Sequence, residues 1–271
     1  MNERVSVDIQ DGVADVRLVR TDKMNALDDA MFSALIETGE RLKTEAGLRA
    51  VVLSGEGRAF CAGLDMGSFQ AMASGERTRN RDTASALLTP KRTEGGSNRA
   101  QHACMVWREI PVPVIGALHG VAFGGGFQLA LGCDLRFVTP DVKLAVLEIK
   151  WGLIPDMAGM VLMRGLVRDD VARELTYTGR IFGGEEAVAM GLATRVCADP
   201  RAEALALAAE IASKNPHAIR AGKRLLNLMG EGDQHAILLA ESKEQGALIG
   251  SPNQVEAVMA NLQKRAPSFA D

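Results

Sequence analysis

The chain contains 271 residues, of which 47% are hydrophobic and 24% are charged, and its net charge is −3 with a pI near 5.9. This balance is typical of a soluble globular protein with a substantial core, and it does not require two domains. The sequence has no basic stripe and no Lys/Arg patch interleaved with aromatic residues, so nucleic-acid binding has little support.

The N-terminus and the cysteines bear on location and redox chemistry. The first ten residues alternate and carry acids, unlike the apolar core of a signal peptide, and no stretch reaches about 18 uninterrupted apolar residues. We therefore expect a cytoplasmic protein with no membrane insertion. The four cysteines are far apart and the four histidines lack ligand spacing, which predicts neither disulfides nor a metal site.

The first two thirds of the chain predict strands alternating with helices. Apolar and polar residues alternate on both sides of Asp11-Gly12, which indicates an antiparallel hairpin, so the opening unit is not of the dinucleotide-binding type. The predicted strands are Val5–Gln10, Val13–Val19, Arg49–Ser54, Pro111–Leu118, Cys133–Val138 and Lys143–Val146, and the predicted helices are Asp28–Lys43 and Gly125–Gly132.

Two further regions differ in character from this alternation. Residues 66–104 are polar and lack sustained periodicity until about Asn98, which predicts a mobile helical or loop insertion able to roof a substrate pocket. From residue 200 onward the sequence predicts amphipathic helices at Ala202–Ser213, Ala218–Met229, Asp233–Ile249 and Asn253–Lys264. We therefore divide the chain into a core, 1–199, and a C-terminal helical segment, 200–271.

Two segments rich in small residues, Gly57–Asp65 and Gly120–Asp134, each follow an apolar run. Each places a loop where a strand leads into a helix, so that unpaired backbone N–H groups can point at a developing negative charge. Either segment alone is equally consistent with a packed turn. Together they predict an oxyanion hole and acyl-thioester chemistry.

These two segments, with Thr178–Leu192 and the tail Gln263–Phe269, resemble the crotonase family, which includes enoyl-CoA hydratases and isomerases. Asp22–Leu27 resembles the family's first loop and Pro216–Lys223 its first tail helix, so the resemblance covers nearly the whole chain. It implies an α/β fold of the ClpP/crotonase type, in which a β-β-α spiral core is followed by helices that build a homotrimer or a dimer of trimers. Segment 200–271 would then be the trimerisation segment.

The resemblance also implies an acyl-CoA substrate, and no separate cofactor, because coenzyme A is part of that substrate. The backbone N–H groups of Leu64 and Gly125 match the family's oxyanion donors, and the carbonyl of Ala62 matches the position that meets adenine. The candidates for the CoA phosphates are Lys23, Arg58 and Lys264, the last reaching a neighbouring subunit's ligand. Each of these cations is equally consistent with an ordinary solvated charge.

Three positions match the family's proton-transfer stations, and their side chains differ from those of hydratases. The first station holds Glu in hydratases and Asp in dienoyl-CoA isomerases, whereas this chain has Gln128, whose amide cannot exchange a proton at a useful pKa. The second station holds Glu148, and the third holds Asp156, where hydratases have Gly and dienoyl-CoA isomerases have Asp. Two carboxylates in an apolar pocket favour 1,3- or 1,5-proton transfer, and hence double-bond isomerisation.

Other interpretations of these residues remain open in the sequence. Asp156 is also placed to cap a helix starting near Met157, Glu148 is also consistent with a solvated acid at a strand end, and Gln128 is also consistent with lost catalysis. Enoyl-CoA hydration by Glu148 alone and a non-catalytic acyl-CoA-binding trimer are therefore the alternative functions.

Overall fold

The computed structural model describes residues 4–73, 92–230 and 232–271. Within these ranges the strands are β1 (Val5–Gln10), β2 (Val13–Leu18), β3 (Ala50–Gly55), β4 (Val114–Leu118), β5 (Val121–Phe123), β6 (Leu135–Val138), β7 (Lys143–Ala145) and β8 (Arg195–Val196). The helices are α1 (Asp29–Lys43), α2 (Met66–Ala73), α3 (Arg99–Glu109), α4 (Gly125–Leu131), α5 (Gly159–Met163), α6 (Asp169–Thr178), α7 (Gly184–Ala189), α8 (Pro200–Ala212), α9 (Pro216–Met229), α10 (Gln234–Leu248) and α11 (Pro252–Leu262).

The larger sheet has the strand order β1-β2-β3-β4-β6-β8 in the described part of the chain. The pair β1–β2 is antiparallel, and its two-residue turn places both Asp11 and Gly12 at positive φ, as this tight hairpin requires. The remaining pairs are parallel, so the chain crosses back through helices between them. The carboxyl ends of β3 and β4 consequently lie at the same edge, where both glycine-rich segments begin.

A second, two-stranded parallel sheet joins β5 to β7, with Phe123 paired to Ala145. The ladder continues one residue further, because the Gly124 N–H donates to the Ala145 carbonyl at 3.0 Å. An isolated bridge pairs Cys61 with Ala122 and attaches the first glycine-rich segment to the same ladder. This small sheet therefore collects three distant parts of the sequence at one place.

Both faces of the central strands are covered, which explains their uninterrupted apolar sequence. One face contributes Val51 and Leu53 to the large core beneath α1 and α3. On the other face, Ala204 and Ala208 of α8 pack against a smaller cluster whose strand residues are Ala50, Val52, Ile115, Ala117 and Phe137. The first helix of segment 200–271 thus packs directly on the sheet of the core.

Helix α9 is anchored to the core by a buried lysine. The Lys223 ammonium donates to the Val112 carbonyl at 2.8 Å and to the Asp134 carboxylate at 2.8 Å. Helix α10, in contrast, buries none of its residues in the single chain. Among the helices of the described residues, none combines the length and the hydrophobicity needed to cross a bilayer.

The hairpin, α1, α4 and the four C-terminal helices confirm the elements expected from the sequence, with ends that differ by one or two residues. The strand predicted from Pro111 begins only at Val114, because Pro111 and Pro113 have no N–H to give to a ladder. The sequence patterns missed β5, β8, α6 and α7. The predicted insertion is partly described as α2 and the start of α3, while residues 74–91 lie outside the described residues.

Candidate active site

The two glycine-rich segments meet through main-chain hydrogen bonds. The Cys61 N–H donates to the Val121 carbonyl at 3.0 Å, and the Phe123 N–H donates to the Cys61 carbonyl at 3.1 Å. Gly63 has φ +89, and a Cβ built on it would lie 2.4 Å from the Phe123 carbonyl oxygen and 3.7 Å from the Gly125 nitrogen. Only glycine satisfies both the backbone angle and this close approach.

This approach brings the predicted oxyanion donors together. Leu27 and Leu64 form a parallel bridge in which Leu27 bonds to the residues on both sides of Leu64, so the Leu64 N–H points away from Leu27. Gly125 is the first residue of α4 and follows Gly124, whose φ is +53. Among the main-chain hydrogen bonds of the described residues, neither the Leu64 nor the Gly125 N–H has an acceptor. The geometry leaves both groups available to a ligand oxygen.

Glu148 lies directly beside this pair of loops. It opens the 3-10 helix Glu148–Trp151 after β7, its exposed fraction is only 9%, and its Oε1 would lie 3.3 Å from a Cβ at Gly124. Oε1 accepts a hydrogen bond from Gln128, whereas Oε2 is buried and has no partner among the described residues. Burial raises the pKa of Glu148, and the charge of Asp156 raises it further. The interpretation of Glu148 as a solvated acid is wrong.

Gln128 lies on the inner face of α4, with an exposed fraction of 2%. Its Nε2 donates to Glu148 Oε1 at 2.7 Å, and its Oε1 accepts from the backbone N–H groups of Met157 at 2.9 Å and Gly159 at 2.8 Å. Both lone pairs of the amide oxygen and one of its two N–H groups are therefore used inside the protein. Gln128 connects Glu148 to the turn that follows Asp156.

Asp156 lies in the turn between the Glu148 helix and α5. Its side chain is solvent-exposed in the single chain, yet neighbouring protein atoms partly desolvate the carboxyl and raise its pKa. Helix α5 begins at Gly159 after Ala158 at φ +70, with no side-chain cap, so the interpretation of Asp156 as an N-cap is wrong. Two acids with raised pKa values therefore lie within electrostatic reach of one another.

The structure brings three of the four candidate CoA-binding residues to neighbouring loops. Lys23 ends a short 3-10 helix, and the Ala62 N–H donates to the carbonyl of the next residue, Met24, at 2.9 Å. Arg58 is exposed on the loop that precedes Ala62. Lys264 is not on these neighbouring loops. The tail that follows it packs at the opposite end of β3, where the Gly47 N–H donates to the Asp271 carboxylate.

The sequence reasoning missed Asn25, which supports the first glycine-rich segment. Asn25 is fully buried, and its Nδ2 donates to the carbonyls of Glu56 at 3.1 Å and Ala59 at 2.9 Å. Its own carbonyl accepts from the Cys61 thiol at 3.1 Å. A signal was present in the sequence, since asparagine tolerates the left-handed φ of +55 found here better than most residues.

One cluster elsewhere has the ligand types of a metal site. Glu40, His102 and Glu109 bring their ligand atoms within 4.8 Å of one another between α1 and α3. The Lys43 ammonium already bridges the two carboxylates, at 2.9 Å from Glu40 and 2.5 Å from Glu109. A cation of the protein itself thus compensates these acids, and the absence of a metal remains a prediction.

Comparison with known proteins shows which family and which solved structures the chain is similar to. A family model described as enoyl-CoA hydratase/isomerase matches residues 8–271. A probable enoyl-CoA hydratase of Bacillus subtilis is 32% identical over 249 residues, covering 90% of each chain. The mitochondrial Delta(3,5)-Delta(2,4)-dienoyl-CoA isomerase of Mus musculus is 30% identical over 274 residues, covering 94% of this chain and 78% of that one. A solved enoyl-CoA hydratase of Mycobacterium smegmatis superposes with a TM-score of 0.85 at 30% identity, covering 98% of this chain and 99% of that one.

Proposed function

The chain belongs to the enoyl-CoA hydratase/isomerase family, the crotonase family, and we propose that it isomerises a double bond in an enoyl- or dienoyl-CoA by means of Glu148 and Asp156. The family and the α/β spiral fold expected from the sequence are both confirmed. The observation that carries the proposal is the placement of Glu148 against Gly124 and of the Asp156 turn against Gly125, with the Gln128 amide hydrogen-bonded between them.

The proposed reaction is a proton transfer through an enolate. One of the two carboxylates removes a proton from C2 of the acyl chain, and the electron pair moves onto the thioester oxygen, which the Leu64 and Gly125 N–H groups stabilise. The other carboxyl then gives a proton to C4 in a 1,3-transfer, or to C6 in a 1,5-transfer, and the double bonds shift toward the thioester. One proton leaves the chain and one returns, so the acyl-CoA keeps its composition.

The raised pKa values of Glu148 and Asp156 suit a reaction in which one carboxyl acts as the base and the other as the acid. A carboxyl that holds its proton nearer to neutral pH is a better donor to an enolate than an ordinary surface acid. The mutual effect of the two charges favours the state in which one carboxyl of the pair is protonated and the other is ionised. That state has both the base and the acid that an isomerisation needs.

Gln128 supports isomerisation over hydration. Hydration in this family depends on a water held between two glutamates, and here the first is replaced by an amide that exchanges no proton. Hydration by Glu148 alone is the second candidate, since Oε2 of Glu148 is not engaged by the described residues and many relatives are named hydratases. A non-catalytic acyl-CoA-binding protein is the third.

The test is ultraviolet-monitored turnover of 3,5-dienoyl-CoA and of crotonyl-CoA by the wild type, Glu148→Gln and Asp156→Asn. Asp170→Asn, at an exposed acid of α6, is the matched control. We expect dienoyl-CoA turnover to fall by about 10²–10⁴ in both acid variants and to be unchanged in the control.

The other outcomes select between the alternatives. Hydration of crotonyl-CoA that survives Asp156→Asn would establish Glu148 acting alone with water and refute the isomerase proposal. Acyl-CoA binding by the wild type without turnover of either substrate would establish a binding protein.

We further propose that Lys23, Arg58 and the Ala62 carbonyl bind the CoA moiety, because their loops adjoin the oxyanion loops. Replacing Lys23 or Arg58 by alanine should raise the KM for the acyl-CoA several-fold at low salt, and the difference should shrink as added salt screens the charges. An unchanged KM at low salt would identify that cation as an ordinary solvated charge.

A homotrimer, or a dimer of trimers, is also proposed. In the single chain, large apolar side chains of the C-terminal segment remain exposed, among them Ile249 at 67% and Leu262 at 74%, and α10 buries none of its residues. Apolar surface of this extent is typical of interfaces. Lys264 follows α11 on this surface, which is consistent with a contribution to a neighbour's ligand. Light scattering coupled to size-exclusion chromatography tests the state, and a monomer would refute it.

A further inference from the structure

We propose that Gln128 is a positioning residue. It fixes which oxygen of Glu148 carries the proton, and it holds Glu148 and Asp156 in fixed positions relative to one another. The inference rests on the proposed function, because it describes the acid pair of that reaction. Three hydrogen bonds of one buried side chain carry it: one to Glu148 Oε1 and two from the backbone of the Asp156 turn.

The orientation of the Gln128 amide is set by its partners. Its oxygen accepts from two backbone N–H groups, those of Met157 and Gly159, and backbone donors cannot reverse their role. The nitrogen must therefore face Glu148, as its 2.7 Å contact with Oε1 shows. A flipped amide would bring N–H groups against N–H groups and an oxygen against a carboxylate oxygen.

This orientation determines the protonation of Glu148. Oε1 accepts the hydrogen bond from the Gln128 N–H. Protonated Glu148 therefore carries its own proton on Oε2, the oxygen without a partner among the described residues. Proton transfer to and from Glu148 consequently passes through Oε2. The amide also stabilises the ionised carboxylate and so opposes the burial that raises the pKa of Glu148.

The same amide sets the position of the second acid. Met157 directly follows Asp156, and a Cβ on Gly125 would lie 2.7 Å from the Met157 Sδ, so the turn packs against the oxyanion loop. A Cβ on Gly159 would lie 2.7 Å from Gln128 Oε1, which leaves room only for glycine. Movement of the amide would therefore displace the Asp156 turn as well as Glu148.

The charged groups that face Glu148 limit what a pH profile reports. Asp156 reaches it from the turn, and Cys104 of α3 senses the charges of both acids. The pKa of the Cys104 thiol is itself raised well above its ordinary value by burial, so Cys104 stays neutral across the working range. A shift in the acid limb thus reports on the Glu148 and Asp156 pair.

Two variants remove the donor to Glu148 in different ways. Gln128→Met removes all three hydrogen bonds. Gln128→Glu keeps an oxygen for the Met157 and Gly159 N–H groups, replaces the donor by a carboxylate oxygen and adds a negative charge beside Glu148. We expect kcat on dienoyl-CoA to fall about 10–100-fold in Gln128→Met, the range of a hydrogen bond to a charged group, with KM little changed. In both variants the acid limb of kcat/KM should move to higher pH.

Gln101→Met is the matched control, because Gln101 is another helical glutamine whose oxygen accepts a backbone N–H, that of Asn98 at 2.9 Å. It should lower the unfolding midpoint slightly and leave the pH profile unchanged. If Gln128→Met fails to fold, Gln128→Glu still tests whether the group at position 128 controls the titration of Glu148.

An infrared titration of the Glu148 carboxyl, assigned by its absence in Glu148→Gln, reads the effect without turnover. Identical titration of Glu148 in the wild type and in the folded variants would overturn the role of Gln128 even if the wild type isomerises dienoyl-CoA. A shifted titration in a protein that turns over no dienoyl-CoA would instead refute the proposed isomerase and retain the role of Gln128.

Discussion

Replacing Gly63 by alanine should separate the two halves of the oxyanion hole. The added Cβ would lie 2.4 Å from the Phe123 carbonyl oxygen, whereas ordinary contact begins at 3.4 Å, so the segments must move apart by about 1 Å. The atom that must yield belongs to the backbone that leads into Gly125. The displacement therefore acts on the distance between the two N–H donors.

The magnitude follows from what one donor contributes. Loss of a single oxyanion N–H typically reduces the rate by about 10²–10³, or about 2.7–4 kcal/mol of transition-state stabilisation, and a misplacement of about 1 Å is of similar consequence. We expect Gly63→Ala to lower kcat/KM by this factor on any thioester that the enzyme turns over. The backbone angle adds a separate loss of stability of about 1–2 kcal/mol.

Gly47→Ala separates these two effects. Gly47 has φ +74, similar to that of Gly63, but a Cβ there meets no atom within 4 Å, and the residue lies at the opposite end of β3. Both variants are assayed for dienoyl-CoA and crotonyl-CoA turnover and for urea denaturation. Gly47→Ala should lose stability alone, while Gly63→Ala should lose both stability and activity.

The reasoning would be refuted by a folded Gly63→Ala variant with wild-type kcat/KM. Such a result would mean that the two segments tolerate an added methyl without displacing the donors. Equal losses of activity in Gly63→Ala and Gly47→Ala would refute it as well, since backbone strain alone would then account for the effect.

Two further predictions concern stability. The pKa of Glu148 is raised in the folded protein, so the contribution of this carboxyl to stability is present below its ordinary pKa and is lost as pH rises through the raised value. Glu148→Gln should therefore have a higher Tm than the wild type at pH 8, and the difference should vanish near about pH 4. Equal Tm values at pH 8 would contradict this. Lys223→Met should lower the free energy of unfolding, measured by urea denaturation, by about 1–3 kcal/mol, because it removes the buried ammonium that hydrogen-bonds the half-buried Asp134 carboxylate and the Val112 carbonyl. Lys214→Met, at an exposed ion pair, should change it by less than about 0.5 kcal/mol, and similar values for the two variants would contradict this argument.

The sequence predicted those parts of the fold that local chemistry determines. Asp11-Gly12 specifies a tight hairpin turn, and Asp28 caps α1 by accepting the Met31 N–H at 2.8 Å. The glycines that permit close approach of two loops were visible for the same reason, since a required positive φ or a missing Cβ leaves a mark on the residue itself.

Pairings between distant residues were not predictable in this way. Strand β5 has three residues, too few to show alternation, and it exists because Lys143–Ala145 pairs with it. The interpretation of Asp156 as a cap followed from its neighbours alone and failed because the Met157 and Gly159 N–H groups bind Gln128, about thirty residues earlier. The role of that glutamine is visible only once the chain has folded.

The ladder that ends with the Gly124 to Ala145 hydrogen bond has an evolutionary consequence. The groups that stabilise the enolate belong to the main chain, so most single side-chain substitutions leave them in place, while the groups that move protons are side chains and can be exchanged one at a time. A lineage that keeps this backbone path can acquire a different acyl-CoA reaction by changing an amino acid at positions such as Gln128 or Asp156. Diversification of chemistry and preservation of the thioester site are therefore separable within this one fold.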